Sequence, residues 1–454
     1  MVVGPGTSRG RPRGPHTAHD REILRLAVPA FLALVSEPLF LLADSAIVGH
    51  LGTPQLAALG VASAVLGTLV SLCIFLAYGT TAAVARQVGA GQLGVALTQG
   101  ISGLWLAGLV GAVVSALSWP LAGSLIDLFG PSAVVAALAL SYLRIALLGA
   151  VPMLLMLAAT GVLRGLQDTR TPLLVAVGGN LANIALNLLL VYGVGSWHGL
   201  GITGSATGTL VAQVASATAL VAVVVRAAVR EQARLRPHPR GIVQSARSGV
   251  PLILRTLLLR ASLLVMTYAA ARLGDDELAT MQLALTIWTF LAFALDAVAI
   301  AAQAITGRYL GAADGPGTRS VTRRIERWGW LSGIVTGVVL AAASPVVGSV
   351  FTTDPDVRHL LVPVLLAAAL AQPLAGIVFV LDGVLIGAGD AVFLAWAQLA
   401  SVALFVPAAW LVLASDAAPG LVWLWLAFGA LFMGARAVTL LARAHGERWV
   451  RLGV

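Results

Sequence analysis

Long apolar segments follow one another along almost the whole of this 454-residue chain. A membrane-spanning helix needs about 20 apolar residues. Segments of that length begin near residues 23, 56, 96, 133, 172, 202, 248, 277, 328, 360, 391 and 420. Only 10% of the residues are charged, against about 25% in a soluble domain. We therefore expect an all-α polytopic membrane protein with twelve transmembrane helices.

Most of the basic residues lie in alternate loops and at the two ends of the chain. The chain carries a net charge of +9, and all 28 basic residues are arginines. They cluster at Arg21, Arg25, Arg86, Arg164, Arg170, Arg226 to Arg247, Arg308, Arg319, Arg323, Arg324, Arg327, Arg443, Arg448 and Arg451. The intervening loops are acidic, with Asp127, Asp275, Asp276, Glu277, Asp354, Asp356 and Asp416. The positive-inside rule then predicts that both termini are cytoplasmic. Since the arginines form no continuous basic face, we expect no nucleic-acid partner.

The two halves of the chain repeat each other at an offset of 222 residues. Matching pairs include Pro29 with Pro251, Arg86 with Arg308, Gly161 with Gly383, Gly165 with Gly387, and Asp168 with Asp390. Each repeat holds six spans, an even number, so both halves have the same orientation. We expect two six-helix bundles related by a pseudo-two-fold along the membrane normal, with a central cavity, as is typical of transporters.

The same pattern divides the chain into five parts. We expect a disordered cytoplasmic tail over 1–21, an N-terminal lobe over 22–230 and a basic cytoplasmic linker over 231–247. A C-terminal lobe over 248–445 and a cytoplasmic tail over 446–454 complete the chain. We expect a monomer embedded in the bilayer of the inner (cytoplasmic) membrane.

Two acids lie inside the first span. An ionisable group within a span costs about 2.5–3.5 kcal/mol on insertion scales, so each one indicates a function. Glu37 and Asp44 are seven residues apart and share one helix face. Pro38 lies between them and favours a bend, so we interpret it as a hinge. A carboxyl that is partly shielded from water can load and release protons, although a hydrogen-bonded structural acid remains an alternative.

The chain's only three asparagines form one stripe in the fifth span. Asn180, Asn183 and Asn187 are spaced by three and four residues. Their amides both donate and accept hydrogen bonds, so they can bind a carboxyl in either protonation state or coordinate a cation. Adhesion between helices is the competing interpretation.

Polar residues of the second half lie in the eighth and tenth spans. Asp296 and Gln303 are again seven residues apart, and Asp382 lies near the cytoplasmic end of its span. We interpret all three as candidate substrate- or cation-binding residues. Arg144, Arg255 and Arg260 also lie in spans, where we expect them to pair with acids or carbonyls.

Three stretches resemble the multidrug and toxic compound extrusion (MATE) transporters. They are residues 42–52, 161–172 and 381–390, and the resemblance extends over about residues 22–445. The acid in the first span and the segment Leu295-Asp296 are similar to the DNA-damage-inducible (DinF) branch of that family.

The resemblance implies an efflux carrier that works by alternating access. Such carriers exchange protons or sodium for small amphipathic or cationic compounds and are not enzymes. The family's first-span aspartate falls on Asp44, its fifth-span asparagine on Asn183, and a sixth-span threonine on Thr209. Some relatives have a second aspartate where this chain has Asn187, and the sodium-coupled branch has a seventh-span glutamate that is absent here.

These departures favour coupling to protons, with Asp44 and Glu37 as the proton-coupling residues and no cofactor beyond the proton gradient. Sodium coupling remains open. A lipid-linked precursor flippase of the related superfamily also remains open, although such flippases usually carry more cavity arginines. A membrane-embedded enzyme would need a nucleophile–base pair or a metal cluster, and no such pattern occurs in the sequence.

Overall fold

The computed structural model describes residues 15–415 and 419–454, and these residues fold into long helices. We number the helices in chain order as α1 Pro15–Gly49, α2 Thr53–Leu72, α3 Phe75–Gly89, α4 Leu93–Asp127, α5 Ala133–Leu148, α6 Ala150–Gly165, α7 Arg170–Tyr192, α8 Ile202–Arg230, α9 Pro239–Leu273, α10 Asp275–Gly311, α11 Gly315–Phe351, α12 Pro355–Gly387, α13 Ala391–Ala414, α14 Gly420–Ala427 and α15 Gly434–His445. A π-helical turn, Phe428–Met433, joins α14 to α15.

Within the described residues, the number of spans agrees with the sequence. Eleven helical stretches are long and apolar enough to cross a membrane. Helices α2 and α3 together count as one of these stretches, and so do α14 and α15. Helices α5 and α6 are bent by 45° at their junction, and counting this pair as one span gives a twelfth. The chain is thus a multi-pass, all-helical membrane protein.

Parts of both segments that flank the first lobe are helical. Residues 1–14 of the predicted tail lie outside the described residues, whereas residues 15–21 already belong to α1. The carboxylate of Asp20 accepts hydrogen bonds from Arg324 and Trp328, which fixes this part of α1 against α11. Similarly, α9 begins at Pro239, so only 231–238 of the predicted linker is irregular. Proline suits the first turn of a helix because its missing N–H would have no partner there.

The repeated glycines explain how each lobe is packed. A Cβ atom on Gly161 would collide with the carbonyl of Ala77, and one on Gly383 would collide with the carbonyl of Ala299. Ala77 and Ala299 are themselves 222 residues apart. Glycine therefore lets α6 approach α3 in the first lobe in the same way that α12 approaches α10 in the second.

The two lobes meet where α3 and α10 end. At this crossing, a Cβ on Gly89 would collide with the carbonyl of Arg308, and a Cβ on Gly311 would collide with the carbonyl of Arg86. The contact is reciprocal, because both pairs are related by the 222-residue offset. We call this end of the bundle the Arg-rich end, and the lobes are in close backbone contact there.

Candidate functional site

Asp44 lies in the second half of α1 and is buried, with 3% of its surface exposed. Its Oδ1 accepts a hydrogen bond of 2.8 Å from the amide of Asn187 and another of 2.7 Å from the hydroxyl of Ser205. The donors come from α7 and α8, so three helices of the first lobe converge on one carboxylate oxygen. No described residue donates a hydrogen bond to Oδ2.

The position of Asn187 depends on how α7 begins and on the space that α8 leaves for its side chain. Helix α7 starts where the carboxylate of Asp168 accepts hydrogen bonds from the backbone N–H groups of Arg170 and Thr171, each 3.0 Å long. Across from Asn187, Gly208 leaves room for the amide, because a Cβ at that position would collide with Asn187 Oδ1. This oxygen is buried and has no hydrogen-bond donor among the described residues. The site therefore contains an unused acceptor beside Asp44.

The other two asparagines of the stripe bind different partners. Asn183 is buried, and its Oδ1 accepts a hydrogen bond of 3.4 Å from Thr209 on α8. Asn180 donates a hydrogen bond of 3.1 Å to the backbone carbonyl of Ser36 on α1. The stripe thus fastens α7 to both neighbouring helices, and its contact with α1 lies two residues before Pro38. Helix α1 continues through Pro38 without a break.

Two residues that the sequence did not single out lie at this site. Ser205 binds Asp44 directly, one helical turn before Thr209, the residue that the resemblance indicated. Tyr142 on α5 is buried beside Asp44, Ser205 and Thr209. Serine and tyrosine carry no distinctive pattern in the sequence, although Ser205 does lie on the same face of α8 as Thr209.

Glu37 lies apart from these contacts. Its side chain is exposed in the structure, and no described residue is hydrogen-bonded to it. Asp44 and Glu37 occupy one helix but have different surroundings, so the hydrogen-bonded cluster contains only one acid.

The second lobe encloses Asp382 between two arginines. Asp382 Oδ2 lies 2.5 Å from Arg255 Nη2 on α9 and 2.5 Å from Arg436 Nη2 on α15. All three side chains are at least 88% buried. The expectation that Arg255 pairs with an acid is confirmed, whereas Arg436 was not anticipated. Since one carboxylate faces two guanidinium groups, this cluster carries a net positive charge and is poorly suited to binding a cation.

Asp296 and Gln303 lie at the boundary between the lobes. The amide of Gln303 donates a hydrogen bond of 2.6 Å to the backbone carbonyl of Tyr78 on α3. Asp296 interacts electrostatically with Arg164 of the first lobe and Arg255 of the second. Both residues thus connect α10 to the opposite lobe, and their predicted binding roles remain predictions.

Comparisons with known proteins agree with this architecture. The profile of the MatE family matches residues 29–189 and 251–411, two ranges displaced by 222 residues. The DNA damage-inducible protein F of Escherichia coli is 30% identical over 383 residues, covering 82% of this chain and 81% of that protein. The probable multidrug resistance protein NorM of Thermotoga maritima is 24% identical over 350 residues, covering 74% of this chain and 73% of that protein.

Solved structures show the same fold. A Vibrio cholerae MATE transporter in its bent form superposes with a TM-score of 0.85 at 20% identity, covering 97% of this chain and 98% of that one. The fold and the matches together define a two-lobed, multi-pass membrane transporter that handles small molecules, and not an enzyme. The chain belongs to the MATE family, which confirms the resemblance drawn from its motifs.

Proposed function

We propose that the protein is a proton-coupled efflux antiporter for small amphipathic or cationic compounds, with Asp44 as the protonation site. The observation that supports this most directly is a single buried carboxylate with two donors on one oxygen and none on the other. Related proteins named for multidrug resistance support the class of substrate.

The geometry offers a route by which protonation changes the contacts between helices. Ionised Asp44 accepts hydrogen bonds from Asn187 and Ser205, and a carboxylate acts only as an acceptor. Once protonated, the same group also donates a hydrogen bond. The unpartnered Oδ1 of Asn187 and the hydroxyl of Ser205 are available as acceptors at this site. Loading a proton thus rearranges the junction of α1, α7 and α8.

A change at this junction reaches the middle of α1. Asn180 on the same stripe binds the carbonyl of Ser36, and Pro38 weakens the helix just beyond it. We expect protonation of Asp44 to loosen α1 near Pro38 and so to favour release of a bound cation from the first lobe. A ligand shifts such a two-state equilibrium only through its different affinities for the two states.

The balance of charge favours protons over sodium. The Asp44 cluster offers a cation only one carboxylate, because Asn187 stands where a second acid would strengthen cation binding. In the second lobe, Asp382 is already neutralised by two guanidinium groups. Among the described residues, no group of three His, Cys, Asp or Glu side chains forms a cluster that could hold a metal ion.

We further propose that the protein acts as a monomer in the inner membrane, with the Arg-rich end in the cytoplasm. The arginines of alternate loops gather at that end in the fold, as the positive-inside rule requires. In this orientation the closely packed crossing of α3 and α10 would close the cytoplasmic side.

The test is efflux of a cationic dye from vesicles that carry the purified protein. Under an imposed pH gradient, Asp44→Asn is expected to reduce efflux to the level of protein-free vesicles. Asp127→Asn is the matched control, because Asp127 is an exposed acid at the end of α4. Wild-type efflux by Asp44→Asn would contradict the assignment of the protonation site.

The coupling ion is tested separately in the same vesicles. We expect a pH gradient to drive efflux and a sodium gradient at uniform pH to have no effect. Efflux driven by sodium alone would overturn the choice of ion while leaving Asp44 as the coupling residue. Flipping of a lipid-linked precursor in the absence of dye efflux would overturn the efflux assignment itself.

A further inference from the structure

The segment that follows α15, residues 446–453, runs across the Arg-rich end and touches both lobes. Its Trp449 is buried with 2% exposure, and the indole N–H donates a hydrogen bond to the carbonyl of Ala444 in α15. Farther along, the N–H of Gly453 donates a hydrogen bond of 2.9 Å to the carbonyl of Leu310, at the end of α10. We call residues 446–453 the strap segment, and it is anchored in the second lobe.

One side chain of the first lobe binds this segment. Arg86, near the end of α3, donates from Nε to the carbonyl of Gly453 at 2.9 Å and from Nη2 to the carbonyl of Arg451. Its Nη1 donates to the carbonyl of Ala388 at 3.4 Å. One acceptor belongs to the second lobe and two belong to the strap segment anchored in it, so Arg86 fastens the lobes together across their boundary.

The repeat provides a counterpart for comparison. Arg308, which is equivalent to Arg86, reaches in the opposite direction and binds the first lobe. Its guanidinium donates a hydrogen bond of 3.0 Å to Gln167 and forms an ion pair of 2.5 Å with Glu22 on α1. The pseudo-two-fold symmetry thus produces two clasps, one from each lobe to the other.

The two clasps differ in the group that accepts hydrogen bonds from the arginine. The position equivalent to Glu22 is Gln244, which carries no charge. It lies on the wall of a cavity of about 200 Å³ between the lobes, together with Arg86. The carbonyls of the strap segment therefore replace the missing carboxylate, and they supply acceptors that a second-lobe side chain does not. Hydrogen bonds to a charged donor are among the stronger ones.

We propose that the strap segment is a built-in latch that holds the Arg-rich end closed. Opening this end requires α3 and α10 to part at the Gly89 and Gly311 crossing. Arg86 must then leave the carbonyls of the strap segment, which stay with the second lobe because Trp449 binds Ala444 and Gly453 binds Leu310. The latch thus favours the closed state of this end. It rests on the alternating access of the proposed function and is independent of the coupling ion.

Distance measurements between the lobes test the latch. Spin labels are attached at Gln92→Cys and Ala312→Cys, which are both exposed at the Arg-rich end. The distance between them reports on the opening of this end in the full-length protein in lipid nanodiscs. All variants carry Cys73→Ala, so that no other cysteine is labelled. We compare Trp449→Ala, a chain lacking residues 447–454, and Arg86→Met. Each is expected to raise the ratio of separated to closed lobes about tenfold.

Two further variants make the result decisive. Arg448→Gln removes an exposed charge within the strap segment and is expected to keep the wild-type distances. Arg308→Met breaks the other clasp and serves as a positive control. If Arg308→Met increases separation while Trp449→Ala and the shortened chain match Arg448→Gln, the strap segment does not hold the end closed. The readout needs neither substrate nor gradient, so a failure of proton coupling leaves it interpretable.

Discussion

Asn187 and Asp44 are joined by a hydrogen bond of 2.8 Å between two helices of the first lobe. Both side chains are almost fully buried, and the amide presents its donor to the carboxylate while its own oxygen has no donor among the described residues. The Asn187 oxygen is therefore an acceptor that receives no hydrogen bond while Asp44 is ionised. A proton that enters the site satisfies this acceptor, which makes the pair sensitive to protonation.

Replacing the amide by a second acid should change the pH response. In Asn187→Asp, two carboxylates about 3 Å apart cannot both be charged, so the pair retains a shared proton to higher pH. We expect the pH of half-maximal efflux to rise by about one unit or more. Dye efflux measured across a series of pH values checks this. An unchanged profile would show that Asn187 does not face the protonation site.

Ser205 should influence the same profile to a smaller extent. Ser205→Ala removes one of the two donors that stabilise ionised Asp44. We expect the pH of half-maximal efflux to move in the same direction as in Asn187→Asp. Ser205→Thr keeps the hydroxyl and should restore the wild-type profile. An equal effect of both substitutions would point to packing rather than to the hydrogen bond.

The crossing of α3 and α10 should be intolerant of a methyl group. Gly89→Ala places its Cβ against the main-chain carbonyl of Arg308. Main-chain atoms within a helix cannot move aside as the end of a flexible side chain can. We expect separated lobes at the Arg-rich end, measured with the same pair of spin labels. Gly79→Ala is the matched control, because a Cβ at Gly79 on α3 has no heavy atom within 4 Å.

Asp382 should matter for stability rather than for coupling. Asp382→Asn leaves two buried guanidinium groups without their counter-charge, and breaking a buried ion pair in this way costs about 3–5 kcal/mol. We expect a marked loss of thermal stability in detergent. Adding Arg436→Met to Asp382→Asn removes one of the stranded charges and should recover part of it. If Asp382→Asn unfolds like wild type but loses efflux, the acid has a transport role.

The spans, the repeat and the pairing of Asp44 with an asparagine could all be predicted from the sequence. Hydropathy alone locates twelve spans because a membrane permits few alternatives to a helix. The repeat follows from matching loop residues such as Arg86 and Arg308. Asn187 stands out because asparagine is rare in this chain and appears in one stripe.

Other parts of the site required the structure. Ser205 and Thr209 are one turn apart on α8, and only the rotation of that helix decides which of them reaches Asp44. Arg436 lies in the first turn of α15, and nothing in the sequence indicates that it is buried. The start of α1 was predicted too late, because Asp20 lies beyond the apolar segment and is held by partners on α11.

The reciprocal crossing also limits how far the two halves can diverge. Elsewhere their equivalent positions have drifted apart, as Glu22 and Gln244 show. At Gly89 and Gly311, each half meets the main chain of the other, so a substitution in one copy cannot be compensated by any side-chain change in the second. The main chain of each half thus requires a glycine at the crossing position of the other half, even where the rest of the two halves differs in sequence.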